Sequence, residues 1–415
     1  MKFLLSVFDF FHDSTLKLIA WLLVLSSITG GILLPQPFYF SAVGLLGIML
    51  LFKERVCFSN LFVLLLLFVC MLSLIFNQPP AYFRAWSRLG AYSLILLVIS
   101  PMLFSERALI LRFKLLFYFL YLSIILSVGS FFAYFLNINL FERQGEILEI
   151  GAGTFSGLMN HSMVLGPISA LSAILLFSLL IIPKGIKKKP LKTIGLIAML
   201  LFCCGACLLA ASRIALVGLV VGILVTILMA YRKRLSKAFG IVFLILFIGG
   251  ITYPVWGKLT TFILQKQEGN VDRGSVIYSR EEKFSARLYE FKSSPIIGIG
   301  FCVADPRFTG VNKSNGRVEP GSSWLAIASM TGILGLMVFL PLCIIAAIKV
   351  WRIRDPLVSS ILSGMLFFFF VHMIAEGYIY APKSYLSLLF WLIVSSIYGI
   401  SIVEKKGKVF KINLK

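Results

Sequence analysis

Residues 324–350 read WLAIASMTGILGLMVFLPLCIIAAIKV, and this stretch holds one charged residue, Lys349. As an α-helix it would be about 40 Å long, more than the roughly 30 Å hydrocarbon core of a bilayer. A backbone that lies in lipid must satisfy its polar groups within its own segment, and a helix does so. The stretch therefore predicts a transmembrane helix, and comparable apolar runs recur along almost the whole chain.

The composition of the 415-residue chain agrees with this interpretation. Hydrophobic residues make up 59% and charged residues 13%, and the mean hydropathy is +0.97, values well outside those of soluble globular proteins. We predict an all-α, polytopic membrane protein with about twelve transmembrane helices and one large outer loop. The predicted spans are Leu16–Leu34, Phe38–Phe52, Leu61–Phe76, Leu89–Phe104, Leu115–Leu136, Met163–Ile182, Thr193–Ala210, Ile214–Tyr231, Phe239–Val255, Trp324–Val350, Leu357–Glu376 and Tyr385–Val403.

These spans divide the chain into three parts. Residues 1–256 hold the first nine spans, and residues 257–323 form the large loop. Residues 324–415 hold the last three spans and a basic tail. Most of the side chains that could do chemistry outside the membrane lie in the loop, so the function is sought where the loop meets the ends of the neighbouring helices.

Lysine and arginine residues indicate the orientation, because they collect in the cytoplasmic loops of membrane proteins. They are concentrated in the even-numbered gaps between spans, for example at Lys187–Lys189 and Arg232–Arg234, and in the tail. The stretch Asn137–Gly153, in an odd-numbered gap, is acidic. We therefore predict that both termini are cytoplasmic and that the large loop is outside. This distribution and contact with anionic lipid account for the net charge of +22, so no nucleic-acid binding is expected.

The large loop contains a sequence pattern that is typical of a helix start. Ser279-Arg-Glu-Glu282 is a capping box, in which a hydroxyl and a carboxylate each satisfy a free backbone N–H group. It predicts an amphipathic helix from about Arg280 to Lys292. The apolar stripe of this helix consists of Phe284, Leu288 and Phe291. Its basic edge consists of Arg280, Lys283 and Arg287.

Two further patterns lie between this helix and the tenth span. Gly298 and Gly300 follow Pro295 and predict a tight turn or a close backbone approach beneath a ligand. Ser322 or Ser323 is suited to cap the tenth span, whose first turn then faces outward. The N-terminus of a helix carries a partial positive charge, so an anion would be stabilised there.

Arg213 lies at the outer end of the eighth span, in the sequence Ala-Ala-Ser-Arg. An ionisable group at membrane depth is costly and points to a functional site, although the side chain could also extend to the interface. Two outward arginines beside helix N-termini suit a diphosphate, because guanidinium groups bind phosphate oxygens bidentately. Arg84 and Arg88, near the outer mouth of the fourth span, either help to hold a diphosphate or meet lipid headgroups.

Three stretches together resemble the O-antigen ligase and O-antigen polymerase superfamily of bacterial inner-membrane proteins. They are AASRIALVGL with Arg213, ARLYEFKSSPIIGIGF with ten residues between Arg287 and Gly298, and SSWLAIASMTGILGL at the start of the tenth span. The motif resemblance covers mainly residues 212–335. The pattern of many spans and one large late periplasmic loop extends it to the whole chain.

The resemblance implies that the protein transfers a glycan at the periplasmic face of the inner membrane. The donor would be a glycan on undecaprenyl diphosphate, and the acceptor would be a lipid-linked repeat unit in a polymerase or the lipid A core in a ligase. The superfamily is similar to metal-independent membrane glycosyltransferases of class C, so it implies no metal ion and no cofactor. Expected partners are the undecaprenyl-diphosphate-linked oligosaccharide, membrane lipids, and a chain-length regulator and a flippase of the same pathway.

One departure from the family pattern separates the two branches. Members of the ligase branch have a His at the start of the helix that follows the large loop. This sequence is similar in position but has Gly321-Ser322-Ser323 instead, with Glu319 just before it. The sequence therefore resembles the polymerase branch more closely, which implies a surface-polysaccharide polymerase. The outer loop Arg143–Gly157 does not keep the Arg-to-Gly spacing of polymerases, so a ligase remains an alternative. A glycan flippase or transporter and a non-catalytic assembly subunit are more distant alternatives.

The resemblance implies roles for individual residues. Arg213 and Arg287 would hold the departing diphosphate, and the alternative for Arg287 is an ordinary ion pair with Glu290. Three residues are candidates for the base that activates the acceptor hydroxyl, namely Glu319, His161 and Glu376. Their alternatives are a solvated carboxylate, a helix cap and a buried hydrogen-bonded pair with His372, respectively.

Overall fold

The protein is a bundle of α-helices with three short strand pairs. The computed structural model describes residues 3–5, 10–28, 34–51, 56–140, 155–182, 190–272, 278–307, 311–312, 316–408 and 410–412. The acidic stretch around Arg143 and the basic triplet Lys187–Lys189 lie outside these residues. The helices are α1 (Phe10–Ile28), α2 (Gln36–Leu51), α3 (Leu61–Asn77), α4 (Ala85–Ile99), α5 (Glu106–Phe135), α6 (Ser162–Ile181), α7 (Pro190–Leu209), α8 (Arg213–Ala230), α9 (Leu235–Trp256), α10 (Thr261–Val271), α11 (Tyr278–Ser293), α12 (Ser323–Arg352), α13 (Pro356–Ala375) and α14 (Tyr385–Lys405).

The described helices confirm the all-α membrane fold. Eight of them, α5 to α9 and α12 to α14, are long and apolar enough to cross a membrane, and α1, α2 and α3 are shorter apolar helices. Each of the twelve predicted spans coincides with a helix, while α10 and α11 lie in the large loop. That all twelve helices cross the membrane stays a prediction.

The strands are two or three residues long. They are β1 (Phe3–Leu5), β2 (Cys57–Phe58), β3 (Leu103–Phe104), β4 (Val311–Asn312), β5 (Arg317–Val318) and β6 (Phe410–Ile412). β2 pairs with β3 and β4 with β5, both antiparallel, whereas β1 pairs with β6 in parallel. The β1–β6 pair brings the two ends of the described chain to one side of the bundle, as the predicted orientation requires.

The start of α5 differs from the prediction. The helix begins at Glu106, nine residues before the predicted Leu115, because the Ser105 hydroxyl caps it by accepting from the Ala108 backbone N–H at 2.9 Å. The basic stretch before Leu115 was predicted to be a loop, and it is helical. Within it Arg112 is buried and donates to the carbonyl oxygens of Val98 and Leu103, both at 2.7 Å.

Small residues allow α8 and α13 to pack closely. Gly218 and Gly222 of α8 face Phe368 and Gly364 of α13, and a Cβ atom on Gly222 would lie 3.0 Å from the Gly364 carbonyl oxygen. Close backbone approach through glycine is a common way to join helices in membranes, where the hydrophobic effect does not drive helices together. The packing sets the antiparallel register, so the start of α8 lies near the end of α13.

The tenth predicted span is broken. α12 carries a non-helical residue, Gly332, with φ 66° and ψ −162°. The rings of Trp324 and Phe339 are 5.5 Å apart, whereas fifteen residues along a straight helix would separate them by about 22 Å. The first part of α12 therefore folds back towards the second part at Gly332.

The large loop satisfies the backbone groups that the break exposes. Ile299 N–H donates to the Ser329 carbonyl at 2.9 Å, and Ile333 N–H donates to the Pro295 carbonyl at 2.8 Å. Irregular backbone at membrane depth is tolerated where protein surrounds it, and here residues 295–300 do so. Asn77 of α3 adds a hydrogen bond from its Nδ2 to the Gly298 carbonyl at 2.9 Å.

These contacts explain the glycine turn that the sequence predicts. Gly298 has φ 70°, and a Cβ atom there would overlap the Met330 backbone. Gly300 has φ 121° and donates its N–H to the Met330 carbonyl at 3.3 Å. The close backbone approach is confirmed for Gly298, and its partner is the backbone of α12.

Candidate functional site

Three helix N-termini meet the end of α13 beneath the large loop. A Cβ atom on Gly166, one turn into α6, would lie 2.8 Å from the Ser212 Cβ atom, just before α8. At the start of α12, the Ser323 N–H donates to the Glu376 carbonyl at 3.0 Å, and Glu376 follows α13 directly. Each N-terminus presents the positive end of its backbone dipole, so the meeting point favours a negatively charged ligand.

Two serine side chains hold the start of α12 in place. Ser322 Oγ accepts from the Leu325 N–H at 3.3 Å and donates to the Met373 carbonyl at 3.2 Å. This confirms the predicted cap on α12. Ser323 Oγ donates to the Glu376 carbonyl at 2.7 Å and accepts from the Tyr378 N–H at 3.1 Å. The two serines thus fix the chain on both sides of Glu376.

His161 caps α6. Its Nδ1 accepts from the backbone N–H of Met163 at 3.0 Å, and Nδ1 is therefore the unprotonated ring nitrogen in this arrangement. The capping role that the sequence allowed for His161 is present in the structure. With Nδ1 accepting, a neutral His161 ring carries its proton on Nε2, which donates, so this arrangement fits the cap and not the base that the sequence also allowed.

Two ion pairs join α11 to this meeting point. Arg280 Nη2 pairs with Glu376 Oε1 and lies 4.0 Å from the Met163 sulfur. One turn further along α11, Lys283 pairs with Glu319. The Arg280 and Glu376 side chains are only 15% and 14% exposed, whereas the Glu319 side chain is 54% exposed. Glu376 is therefore the carboxylate of the site that is largely shielded from water.

Arg213 lies beside Arg280, at the first residue of α8. It donates from Nη1 to the side-chain oxygen of Gln267 in α10, and the two guanidinium groups are close enough for their charges to repel. Two cations held together next to three helix N-termini leave a positive potential that one glutamate only partly neutralises. A dianion such as a diphosphate would neutralise the remaining positive charge.

The environment of Glu376 changes its acidity. Burial raises the pKa of its carboxyl to about 7, the charge of Arg280 opposes this rise, and the negative charge of Glu319 adds to it. A carboxyl normally loses its proton near pH 4.3. Glu376 can therefore exchange a proton near neutral pH, as a general base must.

Arg287 does not lie on an exposed basic edge. Its side chain is 4% exposed, and it donates from Nη2 to Glu290 Oε1 at 2.7 Å and from Nη1 to Ser329 Oγ at 3.4 Å. Glu290 is fully buried and also accepts from the Asp305 N–H at 2.8 Å. Burial raises the pKa of Glu290, although the Arg287 charge opposes the rise.

The face that α11 buries is thus the charged one. Helix α11 spans Tyr278–Ser293, within two residues of the prediction, but it begins before Ser279 rather than after it. Leu288, predicted in the stripe that packs on the body, is 46% exposed. The expectation that Arg287 reaches solvent is therefore wrong, and the alternative of an ion pair with Glu290 is present in buried form.

Arg84 and Arg88 lie on another side of the loop. Arg84, with φ 49°, links the short 3₁₀ turn Ala81–Phe83 to α4. Arg88 lies in the first turn of α4, beside the Cys302 thiol and the Lys383 ammonium. The contact of Arg88 with Cys302 joins α4 to the loop. The contacts of Arg213 and Arg280 join α8, α10, α11 and the end of α13.

The sequence prediction of the site left out Arg280 and Gln267. Arg280 was on the predicted basic edge, but the spacing to Gly298 drew attention to Arg287 instead. Gln267 belongs to α10, a helix that was not predicted because residues 261–271 mix polar and apolar side chains without a clear stripe. The position of Arg280 in the first turn of the predicted helix was the sequence feature that could have identified it.

The predicted pairing of Glu376 with His372 takes another form. His372 is fully buried, its ring stacks on Phe368 at 5.2 Å, and its Nδ1 lies 3.3 Å from the Tyr378 hydroxyl. Glu376 pairs with Arg280 instead. Among the described residues, no three His, Cys, Asp or Glu side chains are grouped closely enough to hold a metal ion.

Comparison with known protein families gives a match for the middle of the chain. Residues 197–340 match the family model described as O-antigen ligase. The matched part runs from within α7 to within α12 and includes Arg213, α11 and the break at Gly332, while Glu376 lies beyond it. No curated protein matches the chain. The match confirms the resemblance of this part of the chain to the O-antigen ligase and O-antigen polymerase superfamily, which the motifs between residues 212 and 335 indicated.

Proposed function

We propose, on the premise that residues 197–340 are a domain of the O-antigen ligase and polymerase superfamily, that this protein polymerises a surface polysaccharide. The family assigns it broadly to membrane enzymes of the glycosyltransferase type. In our proposal, the donor is a glycan on undecaprenyl diphosphate and the acceptor is a second lipid-linked repeat unit. The reaction takes place at the periplasmic face of the inner membrane and needs no metal ion.

The observation that carries the proposal is the group of two arginines and three helix N-termini around Glu376. Arg213 and Arg280 supply forked donors that match phosphate oxygens, and the helix ends add partial positive charge. Positive groups that are fixed before the reaction stabilise the charge that develops on a departing diphosphate. A neutral solute would gain little from this arrangement.

Glu376 is the base in this proposal. It takes the proton of the acceptor hydroxyl, and the hydroxyl oxygen attacks the anomeric carbon of the donor sugar. The bond from that carbon to the diphosphate oxygen breaks, and its electron pair leaves with undecaprenyl diphosphate, held by Arg213 and Arg280. The pKa of about 7 supports this role, because near neutral pH the carboxylate accepts a proton and later returns it to water.

The other predicted residues take supporting roles. Glu319, more exposed and paired with Lys283, orients the acceptor at the rim of the site. His161 and Ser322 hold the starts of α6 and α12. Arg287 keeps α11 on the body through Glu290 rather than touching the donor.

Arg84 and Arg88 are set apart from this group. In the proposal they contact lipid headgroups or the far end of the diphosphate-linked glycan, on the α4 side of the loop. Lys383, beside Arg88, adds to the positive charge there.

Ligation of glycan to lipid A core is the second candidate, favoured by the description of the matching family model. The segment Glu319–Ser323, which holds no histidine, supports polymerisation instead. A deletion strain scored for surface glycan separates the two. A single repeat attached to core means that a polymerase was lost, and unattached polymer on undecaprenyl diphosphate means that a ligase was lost. Repeats trapped on the cytoplasmic side would overturn both in favour of a flippase.

A further inference from the structure

In the structure, the side chains of Glu376 and Arg280 form an ion pair with each other. The carboxylate that is placed to act as base is bound by the guanidinium that is placed to act on the diphosphate. A carboxylate in an ion pair with arginine is a weaker base than the same carboxylate without the arginine, because the neighbouring positive charge stabilises its ionised form. In the resting site, the ion pair therefore weakens the base, and it also engages one of the two arginines that would bind the diphosphate.

We propose that the Arg280–Glu376 ion pair is a latch that the donor opens. The diphosphate takes the Arg280 guanidinium away from Glu376, and the freed carboxylate then accepts the proton of the acceptor hydroxyl. This inference rests on the proposed function and adds a coupling between the two substrates. Activation of the acceptor becomes conditional on a bound donor.

The surroundings of Arg280 make the exchange favourable. In the latched state Arg280 meets one carboxylate with one nitrogen, whereas a diphosphate offers several oxygens that match both arms of the fork. The diphosphate also gains Arg213 and the N-termini of α6, α8 and α12. The repulsion between Arg213 and Arg280 is relieved when an anion lies between them.

The position of Glu376 allows its carboxylate to act as a base after Arg280 has moved away. Ser323 fixes the Glu376 backbone from the start of α12, so the carboxylate stays near the site after Arg280 leaves. Lys283 and Glu319, the other charged groups that act on Glu376, are paired with each other. The freed carboxylate is thus left without a dedicated cation and becomes a stronger proton acceptor.

The latch makes a prediction that a purely structural ion pair does not make. Because Glu376 competes with the diphosphate for Arg280, Glu376→Gln should bind the donor more tightly while it transfers glycan more slowly. We expect purified full-length Glu376→Gln protein in lipid nanodiscs to bind undecaprenyl diphosphate about tenfold more tightly than the wild type. We expect its transfer rate to fall at least about 100-fold.

The matched control is Glu106→Gln, which removes the same carboxylate from the Lys408–Glu106 pair at the other side of the bundle. It should change neither binding nor transfer. Arg280→Gln should weaken binding of undecaprenyl diphosphate as well as transfer. If Glu376→Gln does not fold, Glu376→Asp, whose shorter side chain reaches Arg280 less well, must bind more tightly than the wild type.

The outcomes separate the latch from the proposed function. Wild-type protein that shows no binding of undecaprenyl diphosphate would overturn both. Wild-type binding that Arg280→Gln weakens but Glu376→Gln leaves equal or weaker would overturn the latch and keep the proposed function. Tighter binding with slow transfer in Glu376→Gln supports the latch.

Discussion

Replacing Arg287 by methionine tests whether this residue supports the fold or binds the donor. Methionine keeps much of the volume of the side chain but removes the charge that neutralises Glu290. Glu290 is fully buried, and breaking a buried ion pair by removing one partner costs about 3–5 kcal/mol. We expect Arg287→Met to lower the free energy of unfolding by this amount and to reduce protein abundance in the membrane.

A second substitution should restore most of that loss. Glu290→Gln removes the stranded charge, and its side-chain oxygen can still accept from the Asp305 N–H, which lies 2.8 Å from Glu290 Oε1 in the wild type. When both partners of a buried pair become uncharged, the cost is small. The double variant Arg287→Met with Glu290→Gln should therefore unfold within about 1 kcal/mol of the wild type.

The loss in the single variant should also depend on pH. Burial raises the pKa of Glu290 above its unfolded value, and removing Arg287 takes away the charge that opposes this rise. A group with a raised pKa binds more protons in the folded state, so stability is highest below the unfolded pKa and falls as pH rises. The deficit of Arg287→Met should therefore shrink as pH is lowered towards about 4.3.

Thermal unfolding of the solubilised protein and abundance in membranes measure stability, and the length of the polysaccharide measures function. Arg287→Met with wild-type stability would refute the buried-pair argument. A stable double variant that makes no polymer would instead give Arg287 the direct contact with the diphosphate that the sequence spacing indicates. A stable double variant that makes polymer leaves that contact to Arg280.

Three further predictions follow from the site and from the broken helix. The transfer rate of the wild type should rise with pH at and above about 7, because Glu376 must be ionised to accept a proton, burial raises its pKa to about 7 with Arg280 in place, and departure of Arg280 raises this pKa further; a flat profile between pH 6 and 9 would contradict its role as base. Gly332→Ala should destabilise the protein by at least about 2 kcal/mol, since φ is 66° and a Cβ atom would overlap the Ile296 backbone. The control is Gly240→Ala in α9, where a Cβ atom meets nothing within 4 Å, and equal unfolding of the two variants would disprove the strain argument. Ser322→Ala should cost about 1 kcal/mol through loss of the α12 cap, measured by thermal unfolding, and no change would mean that another group replaces the hydroxyl.

The helices were predicted well from local sequence patterns, because the start and length of a helix depend mainly on residues that are close in sequence. The bounds of α11 were predicted within two residues from a pattern contained in sixteen residues of sequence, but which of its faces is buried was not. The break in α12 could not be predicted in this way. Gly332 is one of several glycines in apolar runs, and only the approach of residues 295–300 makes it a turn.

The site was predicted in part for the same reason. Arg213 and Ser322 stand at helix starts that sequence patterns reveal, and the structure brings them to one place. The burial of Arg287 depends on Ser329 and Asp305, which lie 42 and 18 residues away in sequence. The pairing of Glu376 with Arg280 likewise depends on the packing of α11 against α12, which no local spacing encodes.

The hydrogen bonds between residues 295–300 and the Gly332 break have a consequence for biogenesis. During synthesis residues 295–300 are made before α12, so the backbone that completes α12 is already present when this helix is inserted. Until the two meet, the first part of α12 has carbonyl and N–H groups that lipid cannot satisfy. Insertion of this helix and folding of the loop are therefore one cooperative event, and a chain cut within residues 301–322 should reassemble only if both fragments are made together.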